Sequence, residues 1–200
     1  PNNLLDCQKE DCPFCIENSH LTPDPVEQWP SIESQDWKSR IIPNAYPIVE
    51  RRQPTQTSDN TDAHIPKKKA VHASGIHEVV IESPNHIESV LDIPFDDWIS
   101  VWKLCRQRMK QLSSKTEIKW ATLFKNGGIQ AGASLTHVHS QLIAIDHTPP
   151  SIATKCHQII RQPNLFENIL SEAANENRVV HAYKSFVAIV PSAPRQPFEV

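Results

Sequence analysis

The chain has 200 residues, of which 22% are charged, and its formal net charge is −3 at pH 7. This slightly acidic balance excludes the basic surface on which sequence-independent nucleic-acid binding depends. The sequence has no run of 18 apolar residues, which excludes a transmembrane helix, and it shows no signal peptide. We therefore expect a cytoplasmic protein whose partners include neither nucleic acid nor a membrane.

The first thirty residues are polar, contain several prolines and show no hydrophobic periodicity, which predicts an irregular arm. The arm carries Cys12-Pro13-Phe14-Cys15, and the chain has five cysteines in all. An odd number of cysteines in a chain of ordinary composition favours metal binding over disulfides. A Cys-x-x-Cys turn can present two thiolates to one tetrahedral zinc ion. A redox pair and two cysteines without a function are the alternatives, and Cys7 is a further candidate ligand.

Two short apolar segments around Pro43 and Pro47 predict a strand, a kink and an edge strand. Asn44 lies between them, where a turn would also favour asparagine. Residues 51–74 are polar and predict a surface loop. Its three consecutive lysines, Lys67 to Lys69, could attract a phosphate, although such a charge run usually faces solvent.

The next three elements are more regular. Residues 75–82 alternate well enough to predict a strand, which ends at Ser83-Pro84-Asn85-His86. Pro94 is typical of a helix start, and apolar residues three or four positions apart predict a helix with one buried face that extends to Leu112. Residues 117–124 then predict a further strand.

The most distinctive stretch follows and extends from Phe124 to Asp146. Three of the chain's four glycines fall in it, and glycine lets a backbone adopt positive φ and approach a ligand closely. It continues as His137-Val138-His139-Ser140-Gln141 and ends in an apolar run that predicts a buried strand. Two histidines and a glutamine at alternate positions behind a glycine loop predict an anion site with a nucleophile or a metal beside it. A hairpin with incidental histidines is the alternative.

After Asp146, Pro149 and Pro150 break the strand. Residues 152–176 predict helical structure interrupted near Pro163, and residues 178–191 predict a hairpin. This hairpin repeats the layout of residues 40–47, in which two apolar runs flank a turn and end at a proline.

The anion site predicted between Phe124 and Asp146 is supported by the spacing of five residues: Asn126, Ser134, His137, His139 and Gln141. It resembles the active-site signature of galactose-1-phosphate uridylyltransferases, the transferase branch of the histidine-triad superfamily. In that signature an asparagine, a glycine-rich loop and a serine precede His-Pro-His-x-Gln, and Val138 here takes the place of the proline.

The resemblance implies a fold and a domain organisation. The implied fold is α+β, a histidine-triad-like antiparallel sheet with the 94–112 helix packed on it, followed by the beginning of a second such repeat. Residues 1–148 would form the first domain with its zinc-binding arm. Residues 149–200 would form a linker helix and the first strands of an incomplete second repeat. The chain would then carry the first half of a typical member and only the opening of the second.

The resemblance also implies the metal ligands. Ser83-Pro84-Asn85-His86 is similar to the family's Ser-Pro-Asp-His, whose histidine is a zinc ligand. The implied site consists of Cys12, Cys15, His86 and His137. Four nitrogen and sulfur ligands close a tetrahedron, so the single Zn²⁺ would be structural.

The implied chemistry centres on His139, whose neutral imidazole would attack the α-phosphorus of a nucleoside diphosphate sugar and form a covalent nucleotidyl-histidine. Substrate contacts are implied for Asn44, Asn126, Gly132, Ala133, Ser134 and Gln141. We also expect Gln141 to be catalytic, because it can donate to the α-phosphate. Hydrolases of the superfamily carry a third histidine there, whereas glutamine cannot shuttle protons at neutral pH. Gln141 therefore favours transfer over hydrolysis.

The predicted function is that of a UDP-glucose–hexose-1-phosphate uridylyltransferase in galactose metabolism. Its partners would be nucleotide-sugar and sugar-phosphate substrates, and a homodimer is left open. One alternative is an ADP-glucose phosphorylase, which passes an adenylyl group to inorganic phosphate by the same half-reaction. Another, from a different class, is a zinc-stabilised module that binds nucleotides without turnover.

Overall fold

A five-stranded antiparallel sheet organises the first part of the chain, in a computed structural model that describes residues 9–51 and 73–200. Cys7 and the Lys67 to Lys69 run lie outside the described residues. The strands are β1 (Glu27–Trp29), β2 (Ser39–Pro43), β3 (Gly75–Ile81), β4 (Trp120–Phe124) and β5 (His139–Ile145), in the spatial order β1-β2-β3-β5-β4. The chain divides into two compact units, Pro1–Thr148 and Pro149–Val200.

The centre of the sheet is the β3–β5 pair. It runs in register from Gly75 opposite Ile145 to Ile81 opposite His139. Strand β3 is rich in β-branched residues and almost wholly buried, as expected of a central strand covered on both faces. Because alternate residues share a face, His139 and Gln141 lie on one side of the sheet and Ser140 and Leu142 on the other.

Helix α1 (Phe95–Ser113) covers one of these faces, which we call the helix face. Its buried residues Val101, Leu104 and Cys105 pack with Ile41 and Val80 of the sheet. The predicted α+β architecture, an antiparallel sheet with this helix packed on it, is therefore confirmed. One buried ion pair is set into the same interface, where Nε of Arg108 donates to Oε2 of Glu78 at 2.9 Å.

The N-terminal arm covers the opposite face, which we call the site face. Within the described residues the arm begins with two short 3₁₀ segments, Lys9–Asp11 and Ile16–Leu21. Its buried residues Cys12, Phe14 and Cys15 pack, together with Trp37 from the β1–β2 connection, on Ile42, Val79 and Ile81. The edge strand predicted after Pro47 is absent from the described sheet, where residues 45–49 form bends. The flanking Pro43 and Pro47 lack the N–H groups that would extend a ladder.

The second unit consists of α2 (Pro150–Arg161), α3 (Leu165–Asn175) and a hairpin of β6 (Val179–Tyr183) and β7 (Phe186–Ile189). The helices are separated at Pro163, as the sequence predicts. Its assignment as the start of a second histidine-triad repeat remains a prediction. Among the described residues of both units, no helix combines the length and apolarity needed to span a membrane.

Candidate metal centre and active site

Four side chains from three separate segments converge under the arm: Cys12, Cys15, His86 and His137. Their ligand atoms all lie within 4.8 Å of one another. Sγ of Cys12 is 3.4 Å from Nδ1 of His137, and Sγ of Cys15 is 3.5 Å from Nδ1 of His86. A tetrahedral zinc with the usual bond lengths separates its sulfur and nitrogen ligands by about 3.5 Å. These two distances match that separation, and all four predicted ligands lie close enough together to bind one metal ion.

Backbone contacts hold these ligands in place. The amide of Cys15 donates to the Cys12 carbonyl at 3.2 Å, which forms the turn that brings the two thiols together. The amide of Ile16 donates to the Pro84 carbonyl at 2.9 Å and ties the arm to the loop that bears His86. Nε2 of His137 lies 3.0 Å from the Ser83 carbonyl. A carbonyl only accepts, so Nε2 is the protonated nitrogen and Nδ1 is available to bind a metal ion.

The electrostatics of the cluster also suit a cation. Burial raises the pKa of the Cys15 thiol to about 12, and the neighbouring Cys12 acts in the same direction. Burial lowers the pKa of His137 to about 4, which keeps its imidazole neutral, as a metal ligand must be. The Cys15 thiol therefore stays protonated unless a nearby cation stabilises its thiolate, and a metal ion would provide that charge.

His139 is the first residue of β5, and only 5% of it is exposed. Its Nδ1 lies 2.8 Å from the carbonyl oxygen of His137, so the backbone of a candidate metal ligand positions the His139 imidazole. The ring also makes an edge contact with Phe14, at 5.4 Å between centroids. Burial lowers the pKa of His139, which favours the neutral, nucleophilic form of the ring.

Gln141 follows His139 on the same face of the sheet. It contacts His77, which the sequence predicts only as part of a strand. Oε1 of Gln141 lies 2.8 Å from Nε2 of His77 on β3. The side-chain nitrogen of Asn44 lies 3.0 Å from the same Nε2, and its Oδ1 accepts from the Tyr46 amide at 2.8 Å. The polar atoms of Asn44, predicted as a substrate contact, thus meet groups of the chain itself.

Backbone hydrogen bonds within the glycine loop hold it in a tight turn. Gly128 and Gly132 adopt φ of 79° and 80°, which side-chain-bearing residues rarely do. The amides of Ala131 and Ala133 both donate to the Gly128 carbonyl, at 3.2 and 3.1 Å. The N–H of Ala133 is therefore already bonded, and its side chain is buried.

The other predicted loop contacts remain open to a ligand. Ser134 and Gly132 are exposed. Asn126 is half-buried and lies two residues beyond Phe124, which pairs with Gln141; Asn126 thus reaches the end of the sheet where His139 lies. Within the described part of the chain, no hydrogen bond joins Asn126 or Ser134 to His139.

A polar cluster that the sequence patterns did not predict lies beside His139. Nζ of Lys125 donates to Oε2 of Glu82 at 2.6 Å and to the His139 carbonyl at 2.7 Å. Glu82, only 1% exposed, also accepts from the Ser140 hydroxyl. Lys125 therefore ties the end of β4 to the backbone of His139. The available signal was a charged residue at the end of each of two apolar strands.

The chain is similar to several known proteins. A sequence family described as "Domain of unknown function (DUF4921)" matches residues 42–195. An ADP-glucose phosphorylase of Arabidopsis thaliana is 31% identical over 193 residues, which are 94% of this chain and 53% of the relative. A galactose-1-phosphate uridylyltransferase of Thermotoga maritima is 26% identical over 198 residues, which are 96% of this chain and 57% of the relative.

The chain belongs to the DUF4921 family, among the galactose-1-phosphate uridylyltransferase-like proteins of the histidine-triad superfamily. The family predicted from the His137 to Gln141 signature is confirmed. This galactose-1-phosphate uridylyltransferase-like chain spans about half the length of the curated relatives it matches. A solved structure of an Arabidopsis thaliana ADP-glucose phosphorylase with bound ADP-glucose matches it with a TM-score of 0.66 and 27% identity. The match covers 84% of this chain and 50% of that structure.

Proposed function

We propose that this chain is part of a nucleotidyltransferase that acts on a nucleoside diphosphate sugar through a covalent nucleotidyl-His139. The observation that carries the proposal is the 2.8 Å contact between Nδ1 of His139 and the His137 carbonyl. Because a carbonyl only accepts, Nδ1 holds the proton of the neutral ring and the lone pair lies on Nε2. A buried neutral imidazole held in this tautomer is suited to nucleophilic attack.

In the first step, Nε2 of His139 attacks the α-phosphorus. The nitrogen–phosphorus bond forms while the bond from that phosphorus to the oxygen bridging the β-phosphate breaks, and the sugar 1-phosphate leaves with the electron pair. The imidazole becomes a cation that keeps its proton on Nδ1. The His137 carbonyl accepts this hydrogen bond throughout, and it stabilises the charge that develops on the ring.

In the second step, a phosphate oxygen of the acceptor attacks the same phosphorus. The phosphorus–nitrogen bond breaks, and its electron pair returns to Nε2. Inorganic phosphate as acceptor yields a nucleoside diphosphate, and a hexose 1-phosphate yields a new nucleotide sugar. Gln141 donates to a non-bridging oxygen of the α-phosphate in both steps. Since a carboxamide cannot take a proton from water at neutral pH, the site favours a phosphate acceptor over hydrolysis.

The metal in this proposal is zinc, held by Cys12, Cys15, His86 and His137. Two thiolates and two imidazoles at these spacings suit zinc better than magnesium or calcium, which prefer oxygen ligands. With all four positions filled by protein, zinc supplies structural stabilisation. The reacting groups are those of the chain, and His137 connects the two sites because its ring is a ligand and its carbonyl orients His139.

ADP-glucose is the substrate we propose first, with inorganic phosphate as acceptor. Its support is the higher identity to an ADP-glucose phosphorylase, 31%, than to a galactose-1-phosphate uridylyltransferase, 26%. UDP-glucose with galactose 1-phosphate, the substrate pair that the signature alone favours, is the second candidate. It is supported by the match of 96% of this chain to the Thermotoga maritima enzyme. The two candidates share the chemistry of His139 and differ only in base and acceptor.

Covalent labelling tests the proposal. The full chain is mixed with ADP-glucose or UDP-glucose that carries a label in the α-phosphate, and the protein-bound label is measured without acceptor. We expect label from ADP-glucose on His139, its release by inorganic phosphate, and none on His139→Ala. His157→Ala, at an exposed position of α2, is the matched control and should label normally. Labelling by neither sugar, or equal labelling of His139→Ala, would refute the proposal.

A further inference from the structure

A buried histidine with no assigned role lies against Gln141. His77 is 6% exposed and pairs with Ile143 of β5, two residues along the strand from Gln141. His77 and Gln141 are therefore diagonal neighbours on the site face, within reach of each other's side chains. The 2.8 Å contact between Nε2 of His77 and Oε1 of Gln141 joins them directly.

The backbone determines which nitrogen of His77 carries the proton. The amide N–H of Ile48, which can only donate, lies 3.1 Å from Nδ1, so Nδ1 accepts. In a neutral imidazole one nitrogen accepts and the other donates, so the proton is on Nε2. An Nε2–H group needs an acceptor, and Gln141 must therefore turn its oxygen, not its nitrogen, toward His77.

Asn44 supports the imidazole without competing for this proton. Its backbone amide donates to the His77 carbonyl at 2.9 Å. Its side-chain nitrogen lies 3.0 Å from Nε2 and 3.4 Å from Nδ1 of the same ring. An atom in line with one nitrogen's lone pair would lie much farther from the other, so this nitrogen lies over the face of the ring.

The consequence for Gln141 is a fixed direction for its donors. With Oε1 bonded to His77, both N–H groups of the carboxamide face elsewhere, and they have no hydrogen-bond partner within residues 9–51 and 73–200. A carboxamide has two ends of nearly the same shape, and only its hydrogen bonds decide which way it faces. Without His77, the oxygen could turn toward a phosphate and repel it where an N–H group would donate.

We propose that His77 is the positioning residue for Gln141, which it holds in the orientation that presents N–H donors to the α-phosphate of the nucleotide on His139. This inference rests on the proposed nucleotidyl transfer. His77 has no contact with the substrate in this arrangement, and its effect on the reaction passes through Gln141.

Two substitutions separate the two hydrogen bonds of His77. In His77→Gln, the amide nitrogen reaches the place of Nε2 and keeps a donor for Gln141, but the acceptor for Ile48 is lost. In His77→Asn, the carboxamide oxygen takes the place of Nδ1 and keeps the acceptor for Ile48, but the donor is lost. Single-turnover labelling by ADP-glucose labelled in the α-phosphate is measured for both. His157→Asn, the same change at an exposed position of α2, is the control.

We expect His77→Asn to slow labelling by up to about a hundredfold, the loss typical of one preorganised donor, and His77→Gln to restore most of the rate. In a Gln141→Ala background, His77→Asn should cause no further slowing, because nothing remains to be positioned. Equal losses in the two single variants, or additive losses in the double variant, would overturn the inference.

A second measurement separates this inference from the proposed function. Nitrogen NMR of the isotope-labelled chain reports which nitrogen of His77 is protonated. We expect the Nε2–H form, and the Nδ1–H form would overturn the inference. If neither ADP-glucose nor UDP-glucose labels the parent chain, nucleotidyl transfer is refuted together with the phosphate contact proposed for Gln141. The NMR result still decides whether His77 orients the carboxamide.

Discussion

The two faces of the first unit's sheet are built from alternate residues of the same strands, yet different forces stabilise them. On the helix face, Ile41, Val80 and Leu104 pack as apolar side chains that need only to be removed from water. On the site face, buried thiols and imidazoles need a metal ion, hydrogen bonds or both. Apart from the Arg108–Glu78 ion pair, the stability of the helix face therefore depends mainly on packed volume, whereas that of the site face depends on bound ligands and on single polar atoms.

Removing the metal should show the largest difference between the faces. Structural zinc in small peptides contributes an apparent binding free energy of about 10–16 kcal/mol at pH 7, comparable with the whole stability of a domain. We expect chelation, or Cys12→Ser with Cys15→Ser, to lower Tm markedly and to abolish labelling of His139. Elemental analysis and thermal unfolding check this. Cys156→Ser, at an exposed position of α2, is the control and should keep both metal and Tm; metal retained by the double variant would contradict the site.

Leu104→Ala should affect the helix face alone. Leu104 is 1% exposed in the α1 interface, and truncating a buried leucine typically costs about 2–5 kcal/mol. Denaturant unfolding should show this loss, while the folded fraction keeps one metal ion per chain. Lys110→Ala, at an exposed position of the same helix, should stay within about 0.5 kcal/mol of the parent chain. Loss of metal from folded Leu104→Ala would show that the two faces are not independent.

Gln141→Ala should leave metal content unchanged, lower stability by about 1–3 kcal/mol because the buried His77 donor loses its acceptor, and slow both formation and breakdown of nucleotidyl-His139. Loss of one preorganised donor to a developing phosphoryl charge costs about 3 kcal/mol, or on the order of a hundredfold in rate. Burst measurements with and without acceptor separate the two steps. Gln141→His restores a group that can move a proton and should raise the ratio of hydrolysis to transfer. If Gln141→Ala matched the parent chain in both steps, Gln141 would have no role in catalysis.

Thiol modification tests whether the helix face stays closed to solvent, and we expect it to give the smallest effect. Cys105 on the helix face is buried, and burial raises its pKa to about 12, so it stays a protonated, unreactive thiol through pH 9. Cys156 is exposed. We expect iodoacetamide to modify Cys156 first and Cys105 only under unfolding conditions, as read by peptide mass spectrometry. Fast modification of Cys105 in the folded chain would mean that α1 opens readily.

Local patterns in the sequence were sufficient to predict the elements that form the helix face. The spacing of apolar residues predicts α1, and the alternation after Gly75 predicts β3, because both periods are properties of the backbone itself. The predicted helix begins at Pro94 and extends to Leu112, and the observed helix is Phe95–Ser113. The four residues predicted as metal ligands do lie together, and it was a resemblance spanning distant segments that grouped them.

The polar network around Gln141 could not be predicted in this way. His77 and Gln141 are 64 positions apart, and their contact depends on the register of two paired strands. A histidine in an alternating strand carries no local sign of its partner. The contact between Glu82 and Lys125, 43 positions apart, could not be predicted for the same reason. The conformation of the arm also depends on residues distant in sequence, because the arm contacts the 83–86 loop and the sheet.

A metal ion held by Cys12, Cys15, His86 and His137 would also close long loops of the chain. Cys12 and His137 are 125 positions apart, and Cys15 and His86 are 71 apart, so one ion would cross-link most of the first unit as a disulfide does. Closing a loop of roughly 100 residues removes conformational freedom from the unfolded chain worth about 4.7 kcal/mol in the chain-entropy view. Because that entropy grows only with the logarithm of loop length, the segments between the ligands can change in length at little thermodynamic cost. The ligands would still meet at one ion, and His139, two residues beyond the last of them, would keep its position.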